Sequence, residues 1–534
     1  MIDNVFTNNL KDELRSGNIQ FTLKPRKDLK SFVFPVKKPQ TLLLDFEITT
    51  LDLINAMKSM KSSSAPGPDD LPAIFFRRYA EVLATPLEQI WRRSLDTGKM
   101  PDTTLLAIIT PIYKGGDKSE PANYRPVALT NHIMKIFERV MRVKLVEHLN
   151  ENGYTNATQH GFKEGHSTVT QILEYMDSVL NILERGKEAD VIYLDLAKVF
   201  DKVDHNILLF KLYELGVRRK VLTWITQFLK NRKQVVRING HISDHQWVVS
   251  GVPQGSVLGP LLFIIMMIDI NHFAKSGLLS YADDTKIWMS ADERENLQKE
   301  LDKICRWIEE NNMLLNGKKF EQLPIGKKGE QNIFKTHEDQ EIERKTEVKD
   351  LGVFISDDMK FNYHISQMVG KGKRLANWAL RTFRTRKTFP LKIVLKSLIV
   401  PILEYASVVW SPNNATLIDL IESVQASFTS RMEEFNTFDE ELGMNVCTTK
   451  YWERLKKLKI YSHQRRRERY MIIFMYKIMI GAYPNPGFDL LSTTYDERNG
   501  IKVKPREQGA GCQQPEHPPF STKDPNFSIF FLVN

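Results

Sequence analysis

Tyr281-Ala282-Asp283-Asp284 is the stretch that decides how this chain folds and what it can do. An apolar run, Leu278, Leu279 and Tyr281, leads into it, and Thr285, Ile287, Trp288 and Met289 lead out. That pattern predicts two short strands joined by a tight turn, with both acids at the turn. Two like charges ~4 Å apart repel by ~4 kcal/mol at an effective dielectric of ~20. A cation relieves such a pair, and the hard ions that suit carboxylates are Mg²⁺ and Mn²⁺. A solvated Asp-Asp turn is the plain alternative on those residues alone.

A third carboxylate shifts the balance. Val191-Ile192-Tyr193-Leu194 has the pattern of a buried strand, and Asp195 stands at its C-terminal end. One acid ending a core strand, together with an acidic hairpin turn, is a minimal ligand set for two divalent ions. Two ions ~3.5–4 Å apart can activate a primer 3′-hydroxyl and stabilise a leaving pyrophosphate. For Asp195 alone, a helix N-cap is the competing assignment. Asp201 and Asp204 are expected beyond the strand, on the following turn or helix.

Further blocks stand in a recognisable order. They are Ser64-Ala65-Pro66-Gly67-Pro68-Asp69, Ile109-Thr110-Pro111-Ile112-Tyr113-Lys114, Asn123-Tyr124-Arg125-Pro126-Val127 and Gln159-His160-Gly161-Phe162. Then come Tyr193-Leu194-Asp195, Phe200-Asp201-Lys202-Val203-Asp204-His205 and Gly251-Val252-Pro253-Gln254-Gly255-Ser256-Val257-Leu258-Gly259-Pro260. Tyr281-Ala282-Asp283-Asp284-Thr285 and Lys349-Asp350-Leu351-Gly352-Val353 close the series. Over roughly residues 45 to 480 the chain resembles the reverse transcriptase of non-LTR (LINE-type, jockey-like) retrotransposons.

The resemblance implies an α+β, right-hand polymerase: fingers, a palm with an antiparallel sheet, and a helical thumb. It implies an RNA-directed DNA polymerase with Asp195, Asp283 and Asp284 as the metal-binding carboxylates and two Mg²⁺ (or Mn²⁺) ions. RNA template, DNA primer and deoxynucleoside triphosphates are the implied partners. Nothing in the sequence points to an obligate protein partner. Lys114 and Arg125 flank a polar turn and suit a triphosphate, Arg bidentately and Lys as a point charge; ordinary surface charge is their alternative. Relatives carry an aromatic at the place of Phe200 that blocks a 2′-hydroxyl; by itself Phe200 reads as a core residue. The resemblance sets Gln254 and Gly255 beside the templating base and incoming nucleotide. Lys319 matches a late palm lysine, a candidate general acid toward pyrophosphate, against a solvated turn lysine. Leu351 and Gly352 look like a primer-grip hairpin.

Composition agrees. The chain has 534 residues, and its 42% hydrophobic content excludes wholesale disorder. The net charge of +10, from 75 basic and 65 acidic residues, is modest, so the location of the charge matters more than its sum. Cys305, Cys447 and Cys512 are too far apart for a zinc knuckle or a disulfide framework, which fits a reducing compartment. The first residues are polar and acidic, unlike a signal peptide. The apolar run from Leu261 to Ile268 is too short to span a bilayer. An intracellular protein, cytoplasmic and/or nuclear, without membrane attachment is expected.

Met359 to Leu403 contains no Asp or Glu, yet carries Lys371, Lys373, Arg374, Arg381, Arg384 and Arg386, with Trp378, Phe383 and Phe389 interleaved. Arg465, Arg466 and Arg467 lie in a second cluster. Alone, each is a solvated helix face; downstream of a polymerase site they are expected to contact phosphates.

The expected organisation is a linker or remnant over 1–45, fingers over 46–165, and palm with the primer-grip hairpin over 166–365. A helical thumb and basic region follows over 366–480, and a poorly packed, Pro/Gly-rich tail over 481–534. Within the fingers, helices are expected from Leu51 to Met60, from Leu71 to Leu95 with a break at Pro86, and from Val127 to Leu149. Three departures from the family stand out: a copy lacking the endonuclease ahead of the polymerase is expected, His166 stands where relatives usually show Arg, and the closing apolar run looks like a segment cut short. The alternative function is a catalytically inactive or domesticated polymerase-fold protein that binds nucleic acid.

Overall fold

The computed structural model describes residues 34–154, 158–196, 199–326, 332–336, 339–439, 444–485, 493–496 and 500–503. Its centre is the strand Ala189–Leu194, nearly continuous in apolar residues because both of its faces are covered. On one side it pairs antiparallel with Asp284–Ser290, which pairs in turn with Gly277–Tyr281. On the other side it pairs antiparallel with Glu321–Ile325, and Glu343–Arg344 closes that edge.

The two-residue period of the central strand sorts its side chains between two cores. Ile192 and Leu194 face one core, and Ala189 and Val191 the other. The first core lies against Gly259–Met266, Arg294–Glu310 and the helices of the N-terminal half. The second lies against Thr168–Glu184 and the helices from Asn362 onward. Antiparallel-rich sheets between helical layers are the α+β architecture expected.

A second sheet joins Tyr124–Leu129, Leu106–Tyr113 and Lys233–Ile238, the last pair running parallel. Lys233–Ile238 lies inside the stretch expected to be palm, but its hydrogen-bond partner is Leu106–Tyr113. Among the helices of the first core, Trp91 stacks on Phe137 at 4.6 Å between ring centroids, and Phe137 meets Trp224 edge-on at 4.9 Å. Thr49 caps the helix Thr50–Lys58 through a capping box with Asp52.

Two helix expectations need correction. The break expected at Pro86 falls at Tyr79, between Ala73–Arg78 and Ala80–Thr97. Pro86 removes only the bond to the carbonyl of Val82, a residue that is 74% exposed on the solvent face. The helix expected from Val127 begins at His132, because Tyr124–Leu129 is drawn into the second sheet.

Residues 34–45 fall within the segment expected to be a linker or remnant. Here Asn152 accepts the N–H of Gln40 at 2.7 Å and of Thr41 at 3.0 Å, and Leu43 bridges Val217. Most of the tail over 481–534 lies outside the described residues; within it, Thr493–Asp496 and Gly500–Val503 form an antiparallel hairpin. Among the described residues, no helix is long and apolar enough to cross a membrane.

Candidate active site

The strand pairing places the acids. Leu194 faces Thr285 across the sheet, so Asp195, the next residue, comes level with Asp284. Tyr281 pairs with Asp284, leaving Ala282 and Asp283 as the two-residue turn. Two-residue hairpins favour positive φ, and Ala282 sits at φ 58°. For a residue with a Cβ, that conformation costs roughly 1–2 kcal/mol.

All three acids therefore meet at one end of the sheet, and they sense one another. Burial, then the charge of Asp195, pushes the Asp283 carboxyl above its ordinary range; a backbone hydrogen bond, Arg125 and Lys114 pull the other way. Asp284 is pushed up to about 6 by burial and then by Asp283, Asp350 and Asp195, with Lys286 opposing. Asp284 still reaches solvent through the cleft, so crowding by like charges is the part of its shift that geometry supports most directly.

The Asp195 carboxylate is turned toward Lys319, whose Nζ lies 3.1 Å from Oδ2, and toward Asn316 Nδ2 at 3.4 Å. Asp204 caps the helix His205–Glu214, accepting the N–H groups of Asn206 and Ile207. Asp201 lies on Val199–Lys202 and accepts from Gln254 Nε2 at 2.8 Å. Among the described residues, no three acidic, His or Cys side chains form a closed metal cluster. The donor chemistry nonetheless fits a hard divalent cation: crowded carboxylate oxygens with raised proton affinity.

A cavity of about 330 Å³ opens beside these acids, lined by Asp195, Asp284, Lys319, Lys349, Asp350 and Leu351 among others. Its far wall is the hairpin Glu347–Asp350/Val353–Ser356, whose turn residues Leu351 and Gly352 have φ of 46° and 91°. Tyr405 donates its hydroxyl to the Leu351 carbonyl at 2.8 Å. Buried Lys286 pairs with buried Asp350 and lies 4.3 Å from the ring centroid of Tyr175, bolting the hairpin to the strand Asp284–Ser290. No sequence pattern distinguished Lys286; it stands where a period-2 strand calls for an inward residue.

Lys114 and Arg125 are exposed at the open end of the second sheet, and both pull on Asp283 electrostatically. Phe200 stacks on Phe263 at 4.6 Å between centroids and meets Phe162 edge-on at 6.1 Å. Phe200 packs against the core and is half-buried. The Gln254 carbonyl accepts the N–H of Ala128 at 2.7 Å. A Cβ at Gly255 would lie 2.4 Å from the Ala128 carbonyl oxygen, so the loop can run this close only with glycine.

The basic residues divide in two. Lys371, Arg374 and Arg381 follow a helical stripe on Asn362–Thr382, with Trp378 (49% exposed) between them; Lys373 and Arg384 are also exposed. Arg465 is exposed against Tyr461. The others are engaged by the protein. Arg386 donates to the carbonyls of Phe383 and Leu380 at the end of that helix. Arg466 forks Glu404 at 2.5 and 2.8 Å. Arg467 is 1% exposed, beside Trp410 and Ser411. These three do not present free cations to phosphate, contrary to expectation.

Part of the chain is similar to known proteins. Residues 112–355 match the family described as "Reverse transcriptase (RNA-dependent DNA polymerase)". Several similar proteins are named as RNA-directed DNA polymerases of transposons and mobile elements. A probable RNA-directed DNA polymerase from transposon X-element of Drosophila melanogaster is 25% identical over 402 residues, 72% of this chain and 44% of that protein. The RNA-directed DNA polymerase from mobile element jockey of Drosophila funebris is 26% identical over 446 residues, 80% of this chain and 48% of its own. The chain thus spans about half the length of the curated relatives it matches. A solved structure of apo telomerase from Candida tropicalis, truncated from the C-terminal domain, is 13% identical, with a TM-score of 0.35, over 52% of this chain and 59% of that one.

Proposed function

We propose that this chain is an RNA-directed DNA polymerase that extends a DNA primer on an RNA template from deoxynucleoside triphosphates. The observation that carries this is the strand register that sets Asp195 level with Asp284, one residue from the Asp283 turn. Two Mg²⁺ or Mn²⁺ ions held by Asp195, Asp283 and Asp284 would activate the primer 3′-hydroxyl and neutralise the leaving pyrophosphate. Arg125 and Lys114 bind the triphosphate, and the pull they exert on Asp283 supports that role. Phe200 excludes the 2′-hydroxyl, with Gln254 and Gly255 completing the nucleotide pocket. Lys319 would donate a proton to pyrophosphate, and its 3.1 Å contact with Asp195 supports that role. Leu351 and Gly352 hold the primer end, and the Lys371–Arg374–Trp378–Arg381 stripe contacts the duplex.

The fingers, palm and thumb then correspond to 46–165, 166–365 and 366–480, and the setting is the cytoplasm and/or nucleus. The test is primer extension on an RNA template with Mg²⁺ or Mn²⁺. Asp283→Asn should remove extension by on the order of 10³-fold, since a metal ligand supplies several kcal/mol of transition-state stabilisation. Binding to an RNA–DNA hybrid should survive. Binding without any extension by the unmutated protein points to the inactive, domesticated alternative.

A further inference from the structure

Gln159 belongs to a sequence block whose role the polymerase assignment leaves open, and it is 1% exposed. Its Oε1 accepts the N–H of Ala282 at 2.9 Å and that of Gly161 at 2.8 Å, while its Nε2 donates to the Ala282 carbonyl at 3.3 Å. One amide thus engages both polar groups of the residue that holds the turn at positive φ.

The chain around it is fastened to the same hairpin. Ser280 donates its N–H to the Thr158 carbonyl at 2.8 Å, and His160 donates its N–H to the Ser280 carbonyl at 2.9 Å. Gly161 passes so near that a Cβ there would fall 2.4 Å from the Ala282 nitrogen. Strained backbone persists only where its surroundings over-determine it. Here those surroundings are Gln159 and the segment from Thr158 to Gly161. The next residue along the chain is Asp283, so whatever fixes Ala282 fixes the direction in which Asp283 leaves the turn.

We propose that Gln159 is a positioning residue for polymerisation: its amide clamps Ala282 and thereby aims the Asp283 carboxylate. This rests on the polymerase function proposed above. A misplacement of about 1 Å at a reacting centre can cost about 10²-fold in rate, so the clamp acts on turnover rather than on nucleotide affinity.

The test uses the full chain carrying Gln159→Met, which keeps the volume and removes the hydrogen bonds. Extension on an RNA template should show kcat lowered about 10- to 100-fold with KM for deoxynucleotide within about threefold. Without substrate, Mn²⁺ binding followed by electron paramagnetic resonance should weaken severalfold. Hydrogen exchange in the peptide spanning 278–285 should accelerate. Adding Ala282→Gly, which makes positive φ unstrained, should bring kcat back to within about threefold of the unmutated protein. A Gln159→Met protein with unmutated kcat, Mn²⁺ affinity and exchange overturns the proposal, as does failure of Ala282→Gly to restore turnover in a folded double variant. If Gln159→Met does not fold, Gly161→Ala disturbs the same contact from the neighbouring residue; unchanged kcat and Mn²⁺ affinity there overturn it equally. If the unmutated chain extends no primer, the polymerase assignment fails, while the Mn²⁺ and exchange measurements still decide the clamp.

Discussion

Replacing Asp350 by Leu should loosen the hairpin Glu347–Ser356 from the catalytic sheet, and the size of the effect follows from burial. The Lys286 and Asp350 side chains are 2% and 5% exposed. Removing one partner of such a pair leaves a desolvated charge and costs about 3–5 kcal/mol. In Asp350→Leu the stranded ammonium keeps the Tyr175 ring face at 4.3 Å, which offsets part of the loss and sets the cost near ~3 kcal/mol. In Lys286→Met the stranded carboxylate faces Asp284, so the cost lies nearer ~5 kcal/mol. Replacing both removes both charges, and the double variant should lie within ~1 kcal/mol of the starting protein. The two changes are therefore far from additive. A chain of this length does not unfold in one step, so the readout is local. Hydrogen exchange over 347–356 should run about 10²-fold faster in Asp350→Leu and return in the double variant. Exchange within about threefold of the starting protein in Asp350→Leu, or no return in the double variant, refutes the coupling.

Three other outcomes are expected. Phe200→Ala should raise the ratio of ribonucleotide to deoxynucleotide incorporation by about tenfold or more, measured in competing extension reactions; an unchanged ratio removes the sugar-gate role. Lys371→Gln, Arg374→Gln and Arg381→Gln should each lower the slope of log binding against log salt by about 1, whereas Arg467→Ala should lower the melting temperature and leave that slope alone. Burial alone would raise the Glu404 carboxyl, but hydrogen bonds from His463 and Arg466 outweigh it and hold it below its ordinary value. Its stabilisation is therefore present above the unfolded carboxylate range and lost as pH falls through the depressed folded value. The melting-temperature gap between the starting protein and Glu404→Gln should be open at neutral pH and close in acid; a gap independent of pH contradicts this.

The sequence by itself determined the local pieces. The unbroken apolar run Val191–Leu194 marks a strand buried on both faces, and the apolar runs on either side of Asp283-Asp284 mark two more joined by a turn. An acidic pair in a two-residue turn has few other homes, and blocks in family order supplied the polymerase class. The second sheet was beyond reach, since period 2 tells which face of Lys233–Ile238 is inward but not that its neighbour is Leu106–Tyr113. Charge was misread for the same reason. Arg374, Arg466 and Arg467 look alike along the chain, and only folding brings Glu404 to one and Trp410 to another while leaving the first in water. Lys286 gave no signal, and Gln159 stood in a block without a role attached, because their partners, Asp350 and Ala282, are 64 and 123 residues away. The acids themselves are a property of sequence; their common address at one end of a sheet is a property of strand register, which long-range pairing alone can set.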